Sequence, residues 1–128
     1  MDPLLFAEDI AATPQSLTDL ADWLEQSDPW SVLPMASRLV LLGMGSSYYA
    51  ASLAAARMRA SGVNAVAELA SSDLLPHADG HTAVIAVSAG GGSRETVDAV
   101  AAYTARCPVV LLSNTPDSPL RDSVHSVV

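Results

Sequence analysis

The chain has 128 residues, half of them hydrophobic but only 5% aromatic, and a formal charge of −8. That length suits one domain with a core that needs no disulfide or metal, and the acidic balance argues against nucleic acid or an anionic membrane as the main partner. Cys107 is the only cysteine and all six basic residues are Arg, which excludes an intrachain disulfide and any lysine Schiff base or lysine general base on this polypeptide.

The N-terminus carries Asp2, Glu8 and Asp9 where a signal peptide would be basic and then apolar, and no apolar run reaches membrane-spanning length. With a single Cys, the expected compartment is reducing and cytoplasmic. After an acidic-apolar segment from Met1 to Ala12, Thr13-Pro14 is expected to open a helix, and Leu17, Leu20, Ala21 and Leu24 give it one apolar face. Ser27-Asp28-Pro29-Trp30 breaks it, with Trp23 and Trp30 read as docking residues.

Leu39 to Leu42 then reads as a buried strand that runs through Gly43-Met44-Gly45-Ser46-Ser47 into an alanine-rich helix ending at Ser61-Gly62. Val63 to Leu69 reads as a second strand and Ala70 to Leu75 as a short helical turn. Ala83 to Val87 reads as a third strand leading into Ser88-Ala89-Gly90-Gly91-Gly92-Ser93. A helix is expected from Arg94 to Ala105 with Val97, Val100, Ala101 and Thr104 inward, then strands over Val109 to Leu112 and Val124 to Val128. Strands apolar on both faces and alternating with helices imply an α/β fold with a doubly wound, five-stranded parallel sheet. The expected order is flavodoxin-like, 2-1-3-4-5, which places the loops after strands 1 and 3 at the switch point where such sheets bind ligands.

Those two loops share a chemistry. Gly45, Ser46 and Ser47 on one side, and Ser88, Gly90, Gly91, Gly92 and Ser93 on the other, put hydroxyls and unpaired backbone N–H groups at two helix starts. The expectation is a shared phosphate site. Arg94 could add charge, Glu95 should point outward, and Glu68 and Asp73 lie where they could bond sugar hydroxyls. Gly43 and Gly45 also fit the first two positions of a dinucleotide fingerprint, with Glu68 about 20 residues on, but Tyr48 stands at the third glycine. His77, His81 and His125 show no metal-ligand spacing and are read as structural or solvent-facing.

Gly45-Ser46-Ser47-Tyr48, Glu68-Leu69-Ala70-Ser71-Ser72 and Ser88-Ala89-Gly90-Gly91-Gly92-Ser93-Arg94-Glu95-Thr96 together resemble the sugar isomerase (SIS) domain, especially the isomerase half of glucosamine-6-phosphate synthase. Glu8-Asp9-Ile10 and the stretch from Ser113-Asn114-Thr115-Pro116 to Ser118-Pro119-Leu120 are also similar. The resemblance implies residues 1–34 as an N-terminal helical segment and 35–128 as a single SIS-type domain lacking its last helix. It implies binding of a phosphorylated sugar of the fructose-6-phosphate or glucosamine-6-phosphate type, with contacts on Ser46, Ser47, Ser88, Ala89, Gly90 and Ser93 and no cofactor or metal. The loop departs from the family's Ser-Gln-Ser-Gly-Glu/Asp-Thr at Ala89, Gly90, Gly92 and Ser93.

No catalytic residue is assigned on this chain, because the family's catalytic Glu, His and Lys lie beyond the matched region. The expected context is the N-terminal SIS domain of a sugar-phosphate isomerase or aminotransferase-like protein, with a non-catalytic sensing module as the alternative and NAD binding as the third reading. Aliphatic surface left by the missing helix is expected to be covered by a homodimer partner or a second SIS domain, the N-terminal helix being a candidate for exchange.

Overall fold

Aliphatic runs separated by glycine-rich turns pair into one sheet in the computed structural model, which describes residues 2–128. Strands β1 (Arg38–Gly43), β2 (Ala65–Leu69), β3 (Thr82–Val87), β4 (Val109–Leu112) and β5 (Ser126–Val127) form it in the order β2-β1-β3-β4-β5, every neighbouring pair parallel. This is the order expected from the sequence. Helices α1 (Pro3–Gln26), α2 (Ser46–Ala60) and α3 (Arg94–Thr104) complete the elements, with short 3-10 turns at Pro29–Val32 and Arg121–Ser123. The chain forms two compact units, residues 1–31 and 32–128.

Because neighbouring side chains on a strand point to opposite faces, the sheet makes two cores. On one face Val40, Leu42, Val84, Ala86, Val109 and Leu111 pack with Ala99, Val100 and Tyr103 of α3. On the other, Leu41, Ala65 and Ile85 pack with Ala51 and Ala55 of α2, whose small side chains let the helix approach the strands.

Several boundaries and one register differ from the sequence reading. Helix α1 begins at Pro3, not Thr13: the Asp2 carboxylate accepts the Leu4 N–H at 2.9 Å, Pro3 occupies the first turn, and Pro14 sits inside the helix. Strand β2 starts at Ala65 because the two preceding residues close α2. Gly62 N–H bonds Arg59 O and Val63 N–H bonds Met58 O, a Schellman ending that removes Val63 from the strand. The expected helical turn over 70–75 is irregular, since Ala70 N–H stays bonded to Gly43 O of β1 and the Ser72 hydroxyl accepts the Leu74 N–H.

Helix α3 buries Thr96, Ala99, Val100 and Tyr103, whereas Val97 and Ala101 are exposed. Burying Thr96 is cheap because its hydroxyl accepts the Ser93 proton at 2.6 Å, and Tyr103 lies inward because its hydroxyl donates to Pro76 O at 2.8 Å. Strand β5 is short, yet its edge is held by reciprocal bonds: His125 N–H to Val109 O, and Val109 N–H to His125 Nδ1. The imidazole is therefore structural.

Candidate anion-binding site

Strands β1 and β3 are direct neighbours, with Gly43 level with Val87, so their C-terminal loops leave the sheet side by side. The first loop is short. A Cβ on Gly43 would lie 2.6 Å from the backbone carbon of Ser47, so the start of α2 rests directly on the end of β1 and only hydrogen fits between them. Gly43 thus supplies the close strand-helix approach for which the dinucleotide fingerprint would use a glycine at position 48, and Tyr48 is accommodated half-buried, its ring 6.1 Å from that of Tyr49.

The chain turns at Gly45 (φ +53°), and the Ser47 N–H bonds Met44 O while those of Tyr48 and Tyr49 bond Gly45 O. The N–H groups of Gly45 and Ser46, and the hydroxyls of Ser46 and Ser47, have no acceptor among the described residues. They are open donors at the positive end of a 15-residue helix.

The second loop is folded on itself. Ser88 is buried at the end of β3, its N–H bonded to Leu112 O and its hydroxyl oxygen accepting the Gly91 N–H at 3.1 Å, so its own proton stays available. Gly91 has φ +61°, and a Cβ there would fall 1.7 Å from Ser118 Oγ, so both conformation and space require glycine. The Ser93 hydroxyl is committed twice, accepting the Thr96 N–H at 3.3 Å and donating to Thr96 Oγ1, as the cap of the 11-residue α3. It can present its N–H to a ligand while its hydroxyl proton is already engaged. Ala89 and Gly90 are exposed, and the Ala89 carbonyl accepts from Ser113 Oγ at 2.9 Å and Thr115 Oγ1 at 2.8 Å. These two hydroxyls, and Ser118, went unassigned in the sequence. Their signal was the hydroxyl-rich run after the strand that borders β3.

The remaining sequence candidates separate. Arg94 is exposed and lies 3.6 Å from Asp98 one turn along, and Glu95 is exposed. Glu68 is half-buried on β2 opposite Leu42, on the α3 side of the sheet and below the loops. Asp73 joins Ser71, Ser72, Glu95 and Asp98 along a cleft of about 280 Å³ beside the start of α3. Burial pushes the Tyr103 hydroxyl up to about 12 and also raises the Cys107 thiol, so neither ionises readily near neutral pH. Among the described residues, no three His, Cys, Asp or Glu side chains sit together to hold a metal ion, and no helix is long and apolar enough to cross a membrane.

A doubly wound parallel sheet with two donor-rich helix starts at its switch point defines a class of anion-binding α/β domain. The family profile of the SIS domain matches residues 33–127, and the chain belongs to that family. No curated protein sequence matches the chain. Among solved structures, the protein c3406 of E. coli CFT073, in complex with a phosphosugar, superposes with TM-score 0.74 at 18% identity over 100% of this chain and 74% of its own. The sugar isomerase domain of the RpiR transcription factor from Sphaerobacter thermophilus gives 0.69 at 20% identity over 93% of this chain and 73% of its own. The Vibrio vulnificus NanR protein complexed with ManNAc-6P gives 0.61 at 24% identity over 73% of this chain. The chain spans only 37% of that NanR chain and 28% of the Francisella tularensis aminotransferase C-terminal domain.

Proposed function

We propose that this domain binds a phosphorylated sugar of the fructose-6-phosphate or glucosamine-6-phosphate type, its phosphate held between the loops Gly45–Ser47 and Ser88–Ser93. The observation that carries this is the pairing of β1 with β3, which aims two helix starts and their open N–H groups at one place. Ser46 and Ser47 supply hydroxyl donors, Ser88 a third, and Gly45, Gly90, Gly91, Gly92 and Ser93 line the cradle with main chain. Ala89 contributes backbone alone. The sugar extends toward Glu68 and the cleft of Asp73, whose carboxylates accept from its hydroxyls. Several structural neighbours bind phosphosugars, which supports the reading.

The domain serves as the sugar-phosphate module of a larger enzyme of the isomerase or aminosugar-forming kind, with a sensing module as second reading. The RpiR transcription factor's sugar isomerase domain, similar over 93% of this chain, favours that second reading. Association with a second copy or a second SIS domain runs through α1. Phe6, Ile10, Leu17, Leu20 and Leu24 follow a spacing of three and four residues along it and are 40–61% exposed.

Calorimetric titration with fructose 6-phosphate, glucosamine 6-phosphate, unphosphorylated fructose and NAD tests the site. The phosphorylated sugars are expected to bind at least about ten-fold more tightly than fructose, since charge-assisted hydrogen bonds to phosphate are worth more than neutral ones. Ser46→Ala with Ser47→Ala should remove most of that difference. Binding of NAD alone would overturn the assignment.

A further inference from the structure

We infer that Ser113 and Thr115 are positioning residues, whose paired hydroxyls clamp the Ala89 carbonyl and thereby aim the Gly90 N–H into the anion cradle. The inference rests on the sugar-phosphate reading and assigns roles that reading leaves empty. Both hydroxyls donate to one exposed carbonyl, at 2.9 and 2.8 Å, from the loop that follows β4. An exposed carbonyl can be satisfied by water, so satisfying it is not what two side chains are needed for. What they add is direction. The Ser113 oxygen accepts the Thr115 N–H at 3.2 Å, which leaves its proton to point at Ala89.

No peptide bond among the described residues is cis, so the Ala89 C=O and the Gly90 N–H point in opposite directions across one planar unit. Strand β3 lies between β4 and β1 in the sheet. A carbonyl pulled toward the loop after β4 therefore turns the next N–H toward the loop after β1, where Gly45, Ser46 and Ser47 hold their open donors. The Gly90 N–H has no acceptor among the described residues. A run of three glycines would otherwise sample many peptide orientations, and fixing one before binding removes an ordering cost from the ligand. Ser118, packed against Gly91 and itself capping the Leu120 N–H at 3.3 Å, holds the same loop one residue further on.

The test uses the whole chain with inorganic phosphate and fructose 6-phosphate as probes, read by calorimetry and by amide NMR. In the wild type, phosphate should move the Gly90 amide resonance. Ser113→Ala with Thr115→Val should shift the Ala89 carbonyl carbon before any ligand is added and weaken both probes by about ten-fold, the worth of one oriented hydrogen bond to an anion. Thr115→Ser, which keeps the hydroxyl, should bind as the wild type, a rescue that general damage to the loop would not give. A double variant that binds both probes normally overturns the clamp and leaves the sugar-phosphate reading standing. A wild type that binds phosphate but gains nothing from the sugar ends that reading, and the clamp is then decided by phosphate alone. A Gly90 amide that ignores phosphate overturns the clamp outright.

Discussion

Thr96 shows how a single residue can be read on the wrong side of its helix. By residue type Val97 is the inward candidate and Thr96 the solvent one, yet Thr96 is buried because the Ser93 cap supplies both partners its polar atoms need. Asp79 is a second such case, an exposed carboxylate with a defined task. Its Oδ1 accepts the His81 N–H at 3.0 Å and the Thr82 hydroxyl at 3.0 Å, closing the turn into β3. The His81 N–H first, and the Thr82 hydroxyl second, hold its pKa below the usual 3.8. A depressed carboxylate contributes stability that is present above its unfolded pKa and lost as pH falls through the folded one. Asp79→Asn should therefore melt below the wild type at pH 6, and the gap should close below about pH 4, where both side chains are neutral. A gap unchanged between pH 6 and pH 3 in thermal melts would refute this.

Helix α1 carries the clearest consequence at the scale of elements. It runs for 24 residues with none buried, and Asp2, Pro3 and a long run of helix formers set its start against the Pro14 that suggested a boundary. An internal proline costs about 3 kcal/mol in a helix interior, and solitary helices are marginal in water, so an apolar stripe of this length calls for a covering surface. Glu8, Asp19, Asp22 and Glu25 fall outside the stripe of Phe6, Ile10, Leu17, Leu20 and Leu24, so two such stripes can meet without setting like charges against each other. Leu17→Asp combined with Leu20→Asp is expected to convert a self-associating protein into a monomer by light scattering. A wild type that is monomeric at high concentration would refute α1 self-association. Strand β2 adds a smaller lesson, because Val63 has strand propensity but is taken by the hydrogen bonds that end α2.

For the molecule as a whole, the central strands bear the load from both faces. Leu111 is fully buried on β4 within the α3-side core, and β4 also holds the loop that carries Ser113 and Thr115. Leu111→Ala should cost about 2–5 kcal/mol, read as a lower midpoint in denaturant with an unchanged slope. Such a loss also loosens the support beneath the second loop, so ligand binding and stability should decline together in this variant. In the Ser113 and Thr115 variants they should separate.

Strand identity, parallel pairing and the order of the sheet were legible in the sequence, because aliphatic runs such as Val40 to Leu42 and Val84 to Ala86 bury both faces and each sits beside its own turn residues. The two loops were legible too, since glycine and serine at a strand-to-helix junction have a local chemistry. Only the tertiary structure decided that Ser93 spends its hydroxyl on Thr96, that Gly91 is pinned beneath Ser118, and that Ser113 and Thr115 grip Ala89. The physical reason is range: hydrophobic periodicity is written within a few residues, whereas the Thr115 hydroxyl finds its acceptor 26 positions away along the chain. That contact exists only because β3 and β4 fold side by side.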